Sequence, residues 1–190
     1  GLKITEEGTI DDFVGVHIHR TPEGTFELSQ ENLINSILKD LHLDQESTTT
    51  KRTPAKVGQV LRAHEESPEH DGHFHYRSVI GKLNFLEKAT RPDISYATHQ
   101  CARFSTNPRM EHNKAVKWLG RYLKATASHK MIYTPKPQDG FRVYVDADFA
   151  GAWYKGAPED DRSAARSRYG YIITYAGMPL CWVSKLQTEI

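Results

Sequence analysis

Cysteine is nearly absent. Only Cys101 and Cys181 occur, too few for a disulfide framework and not at the spacing of a metal site. Each sits inside an apolar run, so both are expected as reduced core thiols of an intracellular protein. Long hydrophobic runs are missing too. Nothing approaches the roughly 20 apolar residues of a membrane span, and no signal peptide opens the chain, so no membrane partner is expected. An excess of one charge is also lacking, with 25 Lys and Arg against 24 Asp and Glu. Overall charge therefore says nothing about a nucleic-acid partner, and only its local distribution can. There is no glycine-rich phosphate loop and no evident Ser-His-Asp or Cys-His arrangement. What remains is globular composition, 38% hydrophobic and 26% charged, without the signature of disorder. Gly1 in place of a methionine, and a final "LQTEI" that stops in mid-pattern, lead us to expect a piece of a longer polypeptide.

The apolar spacing changes twice along the chain. In "FVGVHIHRTPEGTFEL", Val14, Val16 and Ile18 alternate and "TPEG" supplies turn chemistry, so a β-hairpin is expected. Ser29 is placed to cap a helix. Leu33, Ile34, Ile37, Leu38 and Leu41 then recur at helical spacing. "DQESTTTKRTPAKVGQ" and "EESPEHDGHFH" are polar loops. Three more helices are predicted: one with Tyr76, Val79, Ile80, Leu83 and Leu86 on its stripe; one after Pro92 with Ile94, Ala97, Cys101 and Phe104; and one opening at "NPRMEH". In the last, Pro108 suits the first helical position and Glu111 the positive helix end. From Phe141 the period becomes two. "FRVYVDADF", "YGYIITY" and "PLCWVSK" read as strands, the last two joined tightly through "AGM". "TPKPQDG", at 134–140, has the composition of an interdomain link.

Two groups of residues carry possible chemistry. Lys114, Lys117, Arg121 and Lys124 form one stripe on the third of these helices. Such a stripe suits a phosphate backbone, because neutralised phosphates release counterions, and it equally suits a solvated face that happens to be basic. Asp146 and Asp148 share one face of a strand with Tyr144. Aspartate is disfavoured in strands, and two like charges on one face repel. A hard cation such as Mg²⁺ would relieve that repulsion, as would simple solvation at a sheet edge. One strand cannot supply a whole metal cage. His70, His73 and His75 lack a fourth ligand nearby and are read as part of a polar loop, and His17 and His19 as partly exposed strand residues.

The run "YRSVIGKLNFLEKATRPDISYATHQCARFSTNPRMEHNKAVKWLGRYLKAT" resembles the post-palm segment of a copia-type LTR retrotransposon reverse transcriptase. Tyr76, Arg77, Ser78, Ile80, Gly81 and Leu83 match its first block. Thr90, Arg91, Pro92, Asp93, Ile94 and Ala97 match its second. Arg103, Phe104, Pro108, His112, Ala115, Arg121, Tyr122, Leu123, Lys124 and Thr126 match the rest. "VYVDADFAG" is similar to the segment that opens the family's RNase H domain, and "SRYGYIITYAGMPLCWVSKLQ" to the strands that follow.

The resemblance implies an α+β fold: a β-hairpin closing the polymerase palm (1–28), a helical thumb and connection (29–139), and an incomplete RNase H-like antiparallel meander (140–190). It implies Asp146 as the first RNase H metal carboxylate and Asp148 as the second Asp of the same motif, with Mg²⁺ as cofactor of the full enzyme. It implies an RNA–DNA hybrid or template–primer duplex as partner, met by the basic stripe, together with the rest of a Pol polyprotein in a cytoplasmic virus-like particle with a nuclear stage. The family's paired polymerase aspartates and its later RNase H carboxylates are not in this sequence. Phe149 stands where the family has Trp, and "WYKGAPEDDRSAARSR" is longer than its connection. Alone, the chain is expected to catalyse neither DNA synthesis nor RNA cleavage. The readings beside an enzyme fragment are a duplex-binding remnant without chemistry and a small metal-dependent phosphohydrolase using Asp146 and Asp148.

Overall fold

Residues 11–63, 65–151, 153 and 165–188 are described by a computed structural model of the chain. Strands β1 (Asp12–Phe13), β2 (Val16–Arg20) and β3 (Phe26–Ser29) run antiparallel. The expected hairpin is β2–β3. Its turn holds Gly24 at φ +85°, a left-handed conformation that favours glycine. Helix α1 (Glu31–Asp40) follows at once. Gln30, not Ser29, occupies its cap position and makes no side-chain cap bond. Ser29 is the last residue of β3, paired with His17, so the backbone needed for a cap is already committed to the sheet.

Helix α2 (Tyr76–Ala89) starts where the His75 ring accepts a hydrogen bond from the Ser78 N–H at 3.2 Å. A 3-10 turn at Pro92–Ile94 leads into α3 (Ser95–Ala102), and α4 covers Met110–Ala125. Pro108 precedes α4 by two residues rather than opening it. The first free α4 donor region is closed by His112, whose Nδ1 accepts from the Arg109 N–H at 2.9 Å. The predicted apolar stripes meet in one core. Ile34, Ile37, Val79, Leu83, Leu86, Ile94, Leu119 and Leu123 are all almost wholly buried there. Gly120 lets α4 approach the end of α1, since a Cβ would lie 2.7 Å from Leu41 Cδ1 and 2.8 Å from Leu43 Cδ1.

Strand β4 (Met131–Tyr133) was not foreseen. It pairs with β3, Phe26 opposite Tyr133, and completes a four-stranded sheet in the order β1-β2-β3-β4. With three residues it is too short to show a period. The second sheet has the order β5-β6-β7, from β5 (Phe141–Asp148), β6 (Arg168–Tyr175) and β7 (Met178–Leu186). Both ladders are antiparallel, and Ala176 and Gly177 make the β6–β7 turn at φ +51° and +79°. The chain is therefore α+β, with two antiparallel sheets and four α-helices among the described residues.

The 134–140 segment is held rather than loose. The Lys136 N–H donates to the Ala176 carbonyl, and the Ala176 N–H to that of Gly140, both at 2.8 Å. The second sheet is tied to the helices by Trp182, buried with its Nε1–H on the Glu87 carbonyl at 2.8 Å. Tyr133 adds a bond from its hydroxyl to the Pro179 carbonyl at 2.8 Å. Cys101 is buried as expected, but Cys181 is exposed on β7. The apolar run around Cys181 is a strand, and its residues fall alternately on two faces, of which only the Trp182 face is covered. Residues 1–10 and most of the charged stretch from 153 to 168 lie outside the described residues.

Candidate functional site

The register of β5 decides where its two aspartates point. Asp146 stands opposite Gly170, and Asp148 opposite Arg168. Directly opposed residues share a face, so Tyr144, Asp146 and Asp148 look the same way as Ile172, Gly170 and Arg168. Trp182 and Ser184 continue that face on β7. It turns toward the helices. Between it and the Pro92–Tyr96 segment lies an open cleft of about 480 Å³, with Asp146, Asp148, Arg168 and Tyr96 in its wall. Gly170 leaves the position across from Asp146 empty of side chain. Every residue of β5 is exposed, and among the described residues neither aspartate lies within ion-pair distance of a lysine or arginine.

Asp148 has a structural dependence that the residue pattern does not reveal. Its Oδ2 occupies the place a Cβ on residue 151 would take. A side chain at 151 would make the carboxylate turn aside from this position. The turn is further set by Ala150, at φ +50°, whose N–H donates to Ser167 Oγ at 3.3 Å.

The two aspartates offer the hard oxygen donors that Mg²⁺ takes. Among the described residues, however, no group of three or more His, Cys, Asp or Glu side chains is arranged to hold a metal ion. The donor set present is thus incomplete, and these residues do not by themselves make a magnesium cage. The histidine groups behave as the sequence suggests. His70 is engaged with Asn113 and the Phe74 carbonyl, at 2.8 and 2.7 Å. His17 and His19 are exposed on β2.

The basic stripe of α4 is less open than its spacing implies. Lys114 is exposed and paired with Glu111 one turn back. The Lys117 ammonium sits over the Phe74 ring, 5.9 Å from its centre. Arg121 is half-buried, with its Nε enclosed and without a hydrogen-bond partner. Lys124 donates to the carbonyls of Leu43, at 3.0 Å, and Gln45. The 44–63 segment is strapped alongside, with Trp118 Nε1–H on the Thr53 carbonyl at 2.9 Å and the Lys51 N–H on that of Arg121. The four residues share a face, but three are partly covered by their own chain.

The "TRPD" residues chiefly tie the helices together, while Pro92 and Asp93 also line the cleft. Arg91 is almost wholly buried, forks onto both Asp93 oxygens at 2.9 and 2.8 Å, and donates to the Thr126 carbonyl and hydroxyl. Tyr122 adds its hydroxyl to Asp93 at 2.7 Å. Burial opposes both charges, but the Arg91 fork and the Tyr122 bond outweigh it and hold the Asp93 carboxyl below its ordinary value. Thr90 donates to Gln30 at 2.9 Å, and the Tyr76 hydroxyl to the Cys101 carbonyl. His112 stacks on Phe104 with ring centres 4.0 Å apart, its Nε2 2.6 Å from the Arg62 carbonyl. These residues weld α2, α3 and α4 together.

Against known proteins, the chain is 31% identical over 178 residues to the putative transposon Ty5-1 protein YCL074W of Saccharomyces cerevisiae, covering 94% of the chain and 54% of that protein. It is 31% identical over 178 residues to the retrovirus-related Pol polyprotein from transposon RE1 of Arabidopsis thaliana, covering 94% of the chain and 11% of the polyprotein. Over 112 residues, 59% of the chain and 8% of the relative, it is 37% identical to the retrovirus-related Pol polyprotein from transposon TNT 1-94 of Nicotiana tabacum. The chain is a homologue of retrotransposon Pol polyproteins. It spans about half of the yeast relative and about a tenth of the plant ones. No family model matches this Pol homologue, and no solved structure does. No helix among its described residues is long and apolar enough to cross a membrane.

Proposed function

We propose that this Pol-derived chain is the thumb and connection of a retrotransposon reverse transcriptase with the opening strands of its RNase H part. In the longer protein, Asp146 supplies the first metal carboxylate, with Asp148 beside it, and Mg²⁺ is the ion they help to hold. The observation that carries this reading is the pair of carboxylates on the cleft face of β5, neither within ion-pair distance of a lysine or arginine among the described residues, with Arg168 acting on Asp148 only at longer range. Charges on one strand face repel unless something positive comes between them. A second reading, that this chain alone grips a template–primer or hybrid duplex without chemistry, is favoured by the incomplete donor set. Both readings place a nucleic-acid strand at the chain, with Lys114, Lys117, Arg121 and Lys124 as backbone contacts.

One set of measurements tests both. In a longer Pol protein that carries the further acids, Asp146→Asn should abolish RNA cleavage while DNA synthesis persists. Surviving cleavage overturns the role given to Asp146. For the chain itself, anisotropy of a labelled RNA–DNA duplex should show binding that weakens steeply with salt. Lys114→Glu with Lys117→Glu should weaken it further and flatten the salt slope by about two, one for each lost phosphate contact. Absence of salt-sensitive binding overturns the duplex reading.

A further inference from the structure

Arg168 is the sole cation among the described residues that line the cleft. It opens β6 opposite Asp148, yet among the described residues no carboxylate comes within ion-pair distance of its guanidinium. Its hydrogen-bond and stacking partners are all neutral, and Asp148 acts on it only at longer range. Both terminal nitrogens lie 3.3 Å from His99 Nδ1, one also reaches Ser184 Oγ at 3.2 Å, and the group stacks over Tyr96, 4.8 Å from the ring centre. His99 must accept there, so its Nδ1 carries no proton. Burial, then Arg168, Arg103, Lys185 and Lys88 in turn, pull the His99 imidazole down to about 4. These cations act on His99 from around it, while Asp93, Asp146 and Asp148 line the same cleft as Arg168. A guanidinium presents five donors in a fork that matches phosphate, and for Arg168 burial outweighs the attraction of Tyr96 and Asp148, which leaves part of its desolvation cost uncompensated.

We propose that Arg168 anchors a phosphate of a strand lying in the cleft, with His99 and Tyr96 as positioning residues that hold the guanidinium in place. The placement of a strand rests on the function proposed above; the anion contact does not. Asp146 and Asp148 then face one stretch of backbone while Arg168 holds a neighbouring phosphate.

The test uses the whole chain and the His99 imidazole NMR signal, assigned with His99→Gln. Added inorganic pyrophosphate should move that signal saturably in the native protein and leave it still in Arg168→Gln, with Arg168→Lys only partly restoring the response. No movement in the native protein at tens of millimolar, or equal movement in Arg168→Gln, overturns the anchor. Trp182 fluorescence reports whether the variant keeps its docked sheet; if it does not, the native titration alone decides. In the duplex assay, Arg168→Gln should lower the salt slope by about one, and an unchanged slope overturns the strand placement. A response to pyrophosphate without duplex binding sinks the duplex reading and keeps the anchor; duplex binding without that response does the reverse.

Discussion

At the scale of single residues, Gly151 and His99 carry the sharpest consequences. A methyl group at position 151 would collide with the Asp148 carboxylate. Gly151→Ala should therefore turn the exposed Asp148 carboxylate to another rotamer at a cost of about 0.5 kcal/mol or less. Urea midpoints of the two proteins check this; a loss well above about 1 kcal/mol would show that the carboxylate cannot turn aside. His99 titrates low because burial and neighbouring cations disfavour its charged form. The folded chain therefore binds fewer protons there than the unfolded chain. Its stability contribution is complete above the unfolded value near 6.5 and falls as the pH drops from there toward about 4. His99→Gln should flatten stability across that window, measured by urea midpoints at stepped pH. The residue pattern placed Asp146 and Asp148 on one face with Tyr144, which the ladder reproduces. It was silent on Gly151, Arg168 and His99, because their meeting depends on how a turn folds back and how β6 docks on α3, which no local spacing encodes.

At the scale of elements, the helices were legible because each buries a stripe, and stripes have a period. Val79, Leu83 and Leu86 are spaced for one face of α2 and are buried on it. The edges were less legible. Ser29 has the chemistry of a cap but is held in β3, and Pro108 stands ahead of α4, since pairing and the His112 ring set those limits. The second sheet is tied to the helices through the buried Trp182 among other contacts. Trp182→Ala removes a buried ring and leaves the Glu87 carbonyl without its donor. It should cost about 3–5 kcal/mol if the sheet and helices unfold together. Amide exchange should show the loss shared between α2 and β5–β7. If only β5–β7 loses protection, that sheet is an independently opening unit.

At the scale of the whole molecule, the chain pairs an enclosed helical core with a sheet whose first strand is exposed along its length. The blocks that carry the sequence resemblance include residues that weld the helices, such as Arg91, Tyr122 and His112. That is why the motif spoke clearly for ancestry and said little about chemistry. The first sheet joins segments far apart in the chain: Thr25 meets Thr134 across 109 positions. On a ribosome, β1, β2 and β3 emerge well before β4, and at roughly 5–20 residues per second they wait about 5–20 s for the fourth strand. Since β1 has only 2 residues, what stands before β4 arrives is little more than a hairpin, which is marginal in water. The amino-terminal sheet is thus a late event in folding, locked only after all four helices have left the exit tunnel.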